Sequence, residues 1–225
     1  MKTQLLGLLL CALLTLPALA GCSARAQSDR TLGAKVVPPV FQTVAAEVEA
    51  ASNIPVLLPT SIPEVVLREP APGQDEPFYP SIARADRGGY DINLDAIDQC
   101  YGAGYCNFGV LGAIRLTADT PTVDEEYSFY LDPTYQPMMR SEESIATVTL
   151  SGGITGTFIP WVCGANCNAA KVFWEEQGIR YFVGIRSGRM RDVVAIANAM
   201  IENQPASGVP DSTNPQPGAV LEDTK

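Results

Sequence analysis

From Tyr90 onward the chain alternates apolar and polar residues with the period of a strand. In YDINLDA (90–96), Tyr90, Ile92 and Leu94 fall on one face. Asp91, Asn93 and Asp95 fall on the other, which is predicted to be the solvent side. FGVLGAIRLT (108–117) predicts a second strand with Phe108, Val110, Ile114 and Leu116 together. SIATVTL and ITGTFIP flank Ser151-Gly152-Gly153, and KVFWEE and IRYFVGI flank Gln177-Gly178. Each pair predicts a hairpin, because Gly-containing turns supply the backbone conformations that tight reversals need. In the last of these strands Ile179, Tyr181, Val183 and Ile185 share a face.

Two stretches carry the helical period instead. Phe41, Val44, Ala45 and Val48 predict a short helix ending before Ser52-Asn53. After Ser187-Gly188, an apolar stripe of Met190, Val193, Val194, Ala197, Met200 and Ile201 predicts a closing helix that stops at Gln204-Pro205. Between the first helix and the strands, IPVLLPTSIPEVVLRE (54–69) holds three prolines and predicts extended pieces outside any central strand. The elements add up to one α+β domain over 40–204: an antiparallel sheet built from hairpins, with the C-terminal helix packed on one face.

Both ends fall outside that domain. Lys2 is followed by an apolar run, Leu5 to Ala20, too short for a comfortable membrane span and closed by small residues, as in an export signal over 1–21. Its last four residues, Leu19-Ala20-Gly21-Cys22, match the lipobox, and over 1–22 the chain resembles bacterial lipoproteins. The resemblance implies cleavage before Cys22, lipidation of Cys22 and anchorage in the membrane through that lipid. Ser23 in place of Asp implies the outer membrane. Residues 22–39 read as a flexible tether, and the Pro-rich, aperiodic 205–225 as a disordered tail.

Composition narrows the chemistry. The formal net charge is −10, which argues against nucleic acid as a partner and against attraction to an anionic lipid surface. The chain contains no histidine, which removes Ser-His-Asp and Cys-His triads and any His-ligated zinc or haem site. No cofactor is expected.

Six cysteines are present. Cys11 leaves with the signal and Cys22 takes the lipid. The remaining Cys100, Cys106, Cys163 and Cys167 read as two disulfides in an oxidising compartment, with three connectivities open. A crossed bridge would contribute about 4 kcal/mol and a local 163–167 bridge about 2 kcal/mol by the loop-entropy argument. Gly102, Gly104 and Gly164 nevertheless make both loops supple enough to close locally, and the pairs 100–106 and 163–167 are expected. Cys163-x3-Cys167 departs from the Cys-x-x-Cys of thiol–disulfide exchange, and no neighbouring cation lowers a thiol pKa. Cys100-x5-Cys106 is too wide for a zinc knuckle.

Other candidates are weaker. Asp91-x-Asn93-x-Asp95 begins like a calcium loop, but Ala96 and Gly102 stand where that loop needs Gly and Glu. Glu142-Glu143 and Glu175-Glu176 could supply the paired carboxylates of a glycoside hydrolase. Phe158, Trp161, Phe173, Trp174, Tyr181 and Phe182 concentrate aromatic surface, most of it for the core. Trp161, on a loop, is the one expected to meet a ligand.

CYGAGYCNFG, GTFIPWVCGANC and VFWEEQGIRYFVGI with the closing helix resemble an uncharacterised family of secreted cyanobacterial-type envelope proteins, over 54–203. That resemblance implies fold and location and transfers no activity. The expected function is a lipid-anchored envelope module, not an enzyme, that binds a ligand or protein through its disulfide-shaped loops. The rivals are a carboxylate-dependent hydrolase of envelope polymers and a thiol–disulfide exchange factor.

Overall fold

The computed structural model describes residues 36–64, 66–67, 76–132, 134–164 and 166–204. Cys22, the signal segment, most of the tether and the tail lie outside the described residues. Among the described residues there are nine strands: β1 (Tyr79–Asp86), β2 (Gly89–Asp95), β3 (Asn107–Arg115), β4 (Met139–Arg140), β5 (Ala146–Thr149), β6 (Thr155–Ile159), β7 (Val162–Cys163), β8 (Ala170–Glu176) and β9 (Ile179–Ile185). Seven form one antiparallel sheet in the order β1-β2-β3-β9-β8-β6-β5, and β4 pairs with β7 apart from it. The helices are α1 (Gln42–Ala51), α2 (Val123–Glu126) and α3 (Met190–Glu202). This is the α+β arrangement expected, with α3 lying on β8 and β9.

Both predicted hairpins form. Gln177 and Gly178 both have positive φ (51° and 74°), the left-handed pair that matches the twist of flanking strands. The pairing that unites the sheet, β3 with β9, joins residues far apart in sequence, such as Leu111 with Val183.

Register lines up one apolar face. Ile82, Ile92, Leu111, Val183, Val172 and Phe158 are successive cross-strand partners, and α1, α3 and the segment 54–58 pack with that face in a single core. Tyr90 is fully buried there, and its hydroxyl accepts the Leu57 N–H at 2.9 Å. Asn203, which follows α3, donates to the carbonyls of Leu58 and Val36 and accepts the Val36 N–H, tying both ends of the domain together.

The β3 expectation is corrected by the structure. Its core-facing residues are Gly109, Leu111 and Ala113, and Val110 and Ile114 face the other way, half-buried. Phe108 still reaches the core, against Phe78, because the register slips between Leu94 and Asp95 and turns it inward. In this strand the larger apolar residues do not mark the inner face, since small residues there leave room for the packed side chains opposite.

The second face of the sheet is partly roofed by residues 117–145, which the apolar period did not reveal. Thr122 and Glu125 form a capping box that starts α2, and a 3-10 turn, Ser128–Leu131, follows. Tyr127 and Tyr130 pack from this roof toward Ile159, Phe173 and Phe182. Arg180, almost fully buried in β9, clamps roof to sheet: it contacts Glu175 at 2.9 Å and Glu126 at 3.9 Å and donates to the Pro121 carbonyl at 2.8 Å.

Candidate functional site

The two disulfides are Cys100–Cys106 and Cys163–Cys167, both local. The first staples the loop between β2 and β3, the second the loop that leads into β8, so both lie at the same end of the sheet.

The first loop is organised by Asp95. Far from facing solvent, this side chain is 1% exposed. The slip at the end of β2 brings it to three donors: Ser81 Oγ at 2.7 Å, Asn107 Nδ2 at 2.9 Å and the Gly102 N–H at 3.2 Å. Gly102 has φ of 77°, and a Cβ there would meet the Asn93 amide at 2.7 Å, so this corner accepts only glycine. Gln99 and Tyr101 also hold positive φ, costing about 1 kcal/mol each, so the disulfide and Asp95 keep the loop in a shape it would not hold alone. Tyr101 and Tyr105 project from it, each 75% exposed.

The second loop is closed by a bridge between Cys163 and Cys167, by β4 pairing with β7, and by the Asn168 N–H on the Val162 carbonyl. Replacing Cys163 and Cys167 together by serine is expected to lower stability by about 2 kcal/mol with the fold intact, because so short a closed loop restricts the unfolded chain only modestly. Urea titration measures this. A stability unchanged from wild type would show that the pair does other work, and thiol labelling after mild reductant would then identify a reactive couple.

Arg186, immediately after β9, stands between the two loops. Its Nη1 donates to the Gly104 carbonyl inside the first loop, and its backbone N–H to Phe108 at 2.8 Å. With Cys167 of the second loop it lines two cavities. One, of about 320 Å³, includes Asn107, Glu126, Tyr127, Asn168 and Lys171. The other, of about 410 Å³, includes Ser187, Arg189 and Arg191. Arg191 contacts its neighbour Asp192 at 3.3 Å, and among the described residues Arg189 is exposed without an ion pair.

Lys171 occupies an aromatic cage. Its Nζ lies 5.8, 5.7 and 5.5 Å from the ring centres of Tyr127, Phe173 and Phe182, and donates to the Tyr127 hydroxyl at 3.1 Å. Burial lowers its pKa from the ordinary lysine value, against the opposing pull of the Glu126 and Asp91 carboxylates. Burial first, then the Glu126 charge, pushes Tyr127 up, so its hydroxyl stays protonated.

The remaining sequence candidates are placed elsewhere. Trp161, half-buried, lines a separate cavity of about 250 Å³ with Tyr130, Tyr135, Arg140 and Glu143. Glu143 is engaged structurally: both its carboxylate oxygens accept the Met190 N–H at 3.0 Å, capping α3. Glu175 pairs with Arg180, Glu176 accepts from Gln204 at 2.9 Å, and Glu142 is exposed. Asp91 pairs with Arg84 at 2.9 Å, away from the Asp95 cluster. Among the described residues, no group of three or more Asp, Glu or Cys gathers as a metal site.

Sequence reasoning missed Lys171 and Arg186. Lys171 carried one signal, as the sole lysine between Lys35 and Lys225, set in a strand next to two aromatic residues. No protein-family model matches this chain, and no curated protein or solved structure shows significant similarity to it.

Proposed function

We propose that the protein is a lipid-anchored binding module of the bacterial cell envelope that captures a small anionic ligand at the Arg186 end of its sheet. One observation carries the reading. In a chain of net charge −10, Lys171 and Arg186 line one cavity beside Glu126, and Arg186, Arg189 and Arg191 line a second beside Asp192, with Cys167 of the second disulfide loop bordering both. Cations gathered in a concave site focus an attractive field for an anion even on an acidic protein. Of these four, Arg186 is half-buried and held by Gly104, so a fork of its N–H groups is pre-organised for a carboxylate or phosphate. Of the carboxylates a hydrolase would need, Glu143 caps α3, Glu175 pairs with Arg180 and Glu176 accepts from Gln204. The disulfides fit an oxidising compartment, and among the described residues no helix is long and apolar enough to cross a membrane.

Calorimetric titration with succinate and with phosphate at low ionic strength tests the site. Arg186→Met is expected to weaken binding of the preferred anion by about tenfold, the loss of one charge-assisted pair. Added salt should weaken the wild type too, since the site is only half-buried. Binding of neither anion, or equal binding by wild type and the Arg186→Met, Arg189→Met double variant, would overturn the reading.

The anchor has its own test. Cys22→Ser is expected to leave the protein unlipidated and free of the membrane fraction, because acyl chains contribute about 0.8 kcal/mol per buried methylene. A variant that still pellets with membranes after detergent-free lysis would remove the lipobox from the account.

A further inference from the structure

We propose that Lys171 is a reactive amine that captures small carbonyl acids, such as 2-oxo acids or aldehyde acids, as imines, with Arg186 holding the ligand's carboxylate. The inference rests on the anion-binding reading above and gives it a substrate class. An ordinary lysine on a sheet reaches past its neighbours into water. Lys171 instead ends among three aromatic rings, with Tyr127 as its hydrogen-bond partner among the described residues, and it borders a cavity that also holds Arg186.

Two features suit the amine to carbonyl chemistry. Desolvation disfavours the ammonium form, which enlarges the share of free, nucleophilic amine. The partner of the amine is a hydroxyl rather than a carboxylate, so no ion pair locks the nitrogen in its charged form. Glu126 and Asp91 are the carboxylates whose charge reaches Lys171, and Asp91 is itself paired with Arg84.

The step balances without any other reactant. The Lys171 nitrogen lone pair attacks the carbonyl carbon, and the C=O electron pair moves to oxygen. The proton shed by nitrogen passes to that oxygen through the Tyr127 hydroxyl, which gives up its own proton as it accepts the other. The resulting carbinolamine loses water, leaving a C=N bond to Lys171. Hydrolysis reverses the sequence and releases the ligand unchanged, so the site captures reversibly. The aromatic walls slow that return by limiting water.

Trapping decides the matter. The full chain is incubated with glyoxylate and cyanoborohydride, and peptides are mapped by mass. The expected result is one carboxymethyl adduct, on the peptide holding Lys171, formed well ahead of any on Lys35 or Lys225. Arg186→Met should raise the glyoxylate concentration for half-maximal trapping by about tenfold, yet leave trapping of propanal, which lacks a carboxylate, unchanged. Tyr127→Phe should slow the trapping rate while keeping that half-maximal concentration. Lys171→Arg should give no adduct at this position, with its succinate binding and melting temperature measured alongside to show that the site is still folded. Equal adducts on Lys35, Lys171 and Lys225 would overturn the inference. No adduct at Lys171 while succinate still binds would overturn it and leave the anion site standing. Failure of both succinate binding and trapping would overturn both.

Discussion

Replacing Asp95 with alanine is expected to destabilise the domain by about 3 kcal/mol, the cost of stranding two donors that had faced one buried carboxylate. Of its three donors, Asn107 Nδ2 keeps the carbonyls of Leu94 and Gly109, while Ser81 Oγ and the Gly102 N–H have no other acceptor among the described residues. In a domain of this size the loss corresponds to a melting temperature lower by roughly 10 °C. Asp95→Asn keeps one acceptor oxygen and should cost about 1 kcal/mol. The effect should also reach the proposed anion site. Gly102 belongs to the loop whose Gly104 carbonyl positions Arg186, so anion binding should weaken in parallel. Melting of Asp95→Ala within about 2 °C of the wild type would show that the disulfide alone holds this loop.

Stability is expected to fall steeply once the pH rises above about 10, where an unperturbed tyrosine ionises. Burial, with the Glu176 charge next, pushes Tyr181 up to about 12. Burial likewise pushes Tyr90, Tyr127 and Tyr130 up. A raised folded pKa means that the folded state holds its proton more tightly than the unfolded chain does. Its contribution is complete below pH 10 and is lost as pH climbs through the folded pKa, at a limiting slope of about 1.4 kcal/mol per pH unit per tyrosine. Lys171 acts in the opposite sense. Its lowered pKa disfavours the folded state while the amine is charged in both states, and that penalty fades as pH rises from the depressed value toward the ordinary one. The urea midpoint should therefore hold steady or rise slightly up to about pH 10 and then drop. Tyr181→Phe should make the drop shallower. A midpoint equal at pH 8 and pH 11 would contradict the burial of these hydroxyls.

How much of this was legible in the sequence varies by element. β2, β9, α1 and α3 each announced a buried face through their own period, and the structure buries Ile92, Val183, Val48 and Met200 as that period requires. The strand β1 did not, because its burial is uneven and the register slips between Ile82 and Arg84. Local disulfide pairing was readable from the glycines in both loops. The roof over the second face was signalled only by Thr122-Val123-Asp124-Glu125, a cap pattern with too short a helix behind it to show a stripe.

By itself, then, the chain's sequence determined its local elements, both hairpins, both staples and the exclusion of histidine chemistry, since each follows from residues close together along the backbone. Only the tertiary structure decided the rest. Pairing β3 with β9 placed Arg186 beside the Cys100–Cys106 loop, and the slip at the end of β2 turned Asp95 from an expected surface acid into that loop's anchor. Folding the roof over β8 closed Tyr127 onto Lys171. The Arg186 and Lys171 contacts join residues tens of positions apart, and no periodicity along the chain records which distant side chain will supply a partner. A lysine in a strand reads as solvated until the rings that exclude water from it are brought into place.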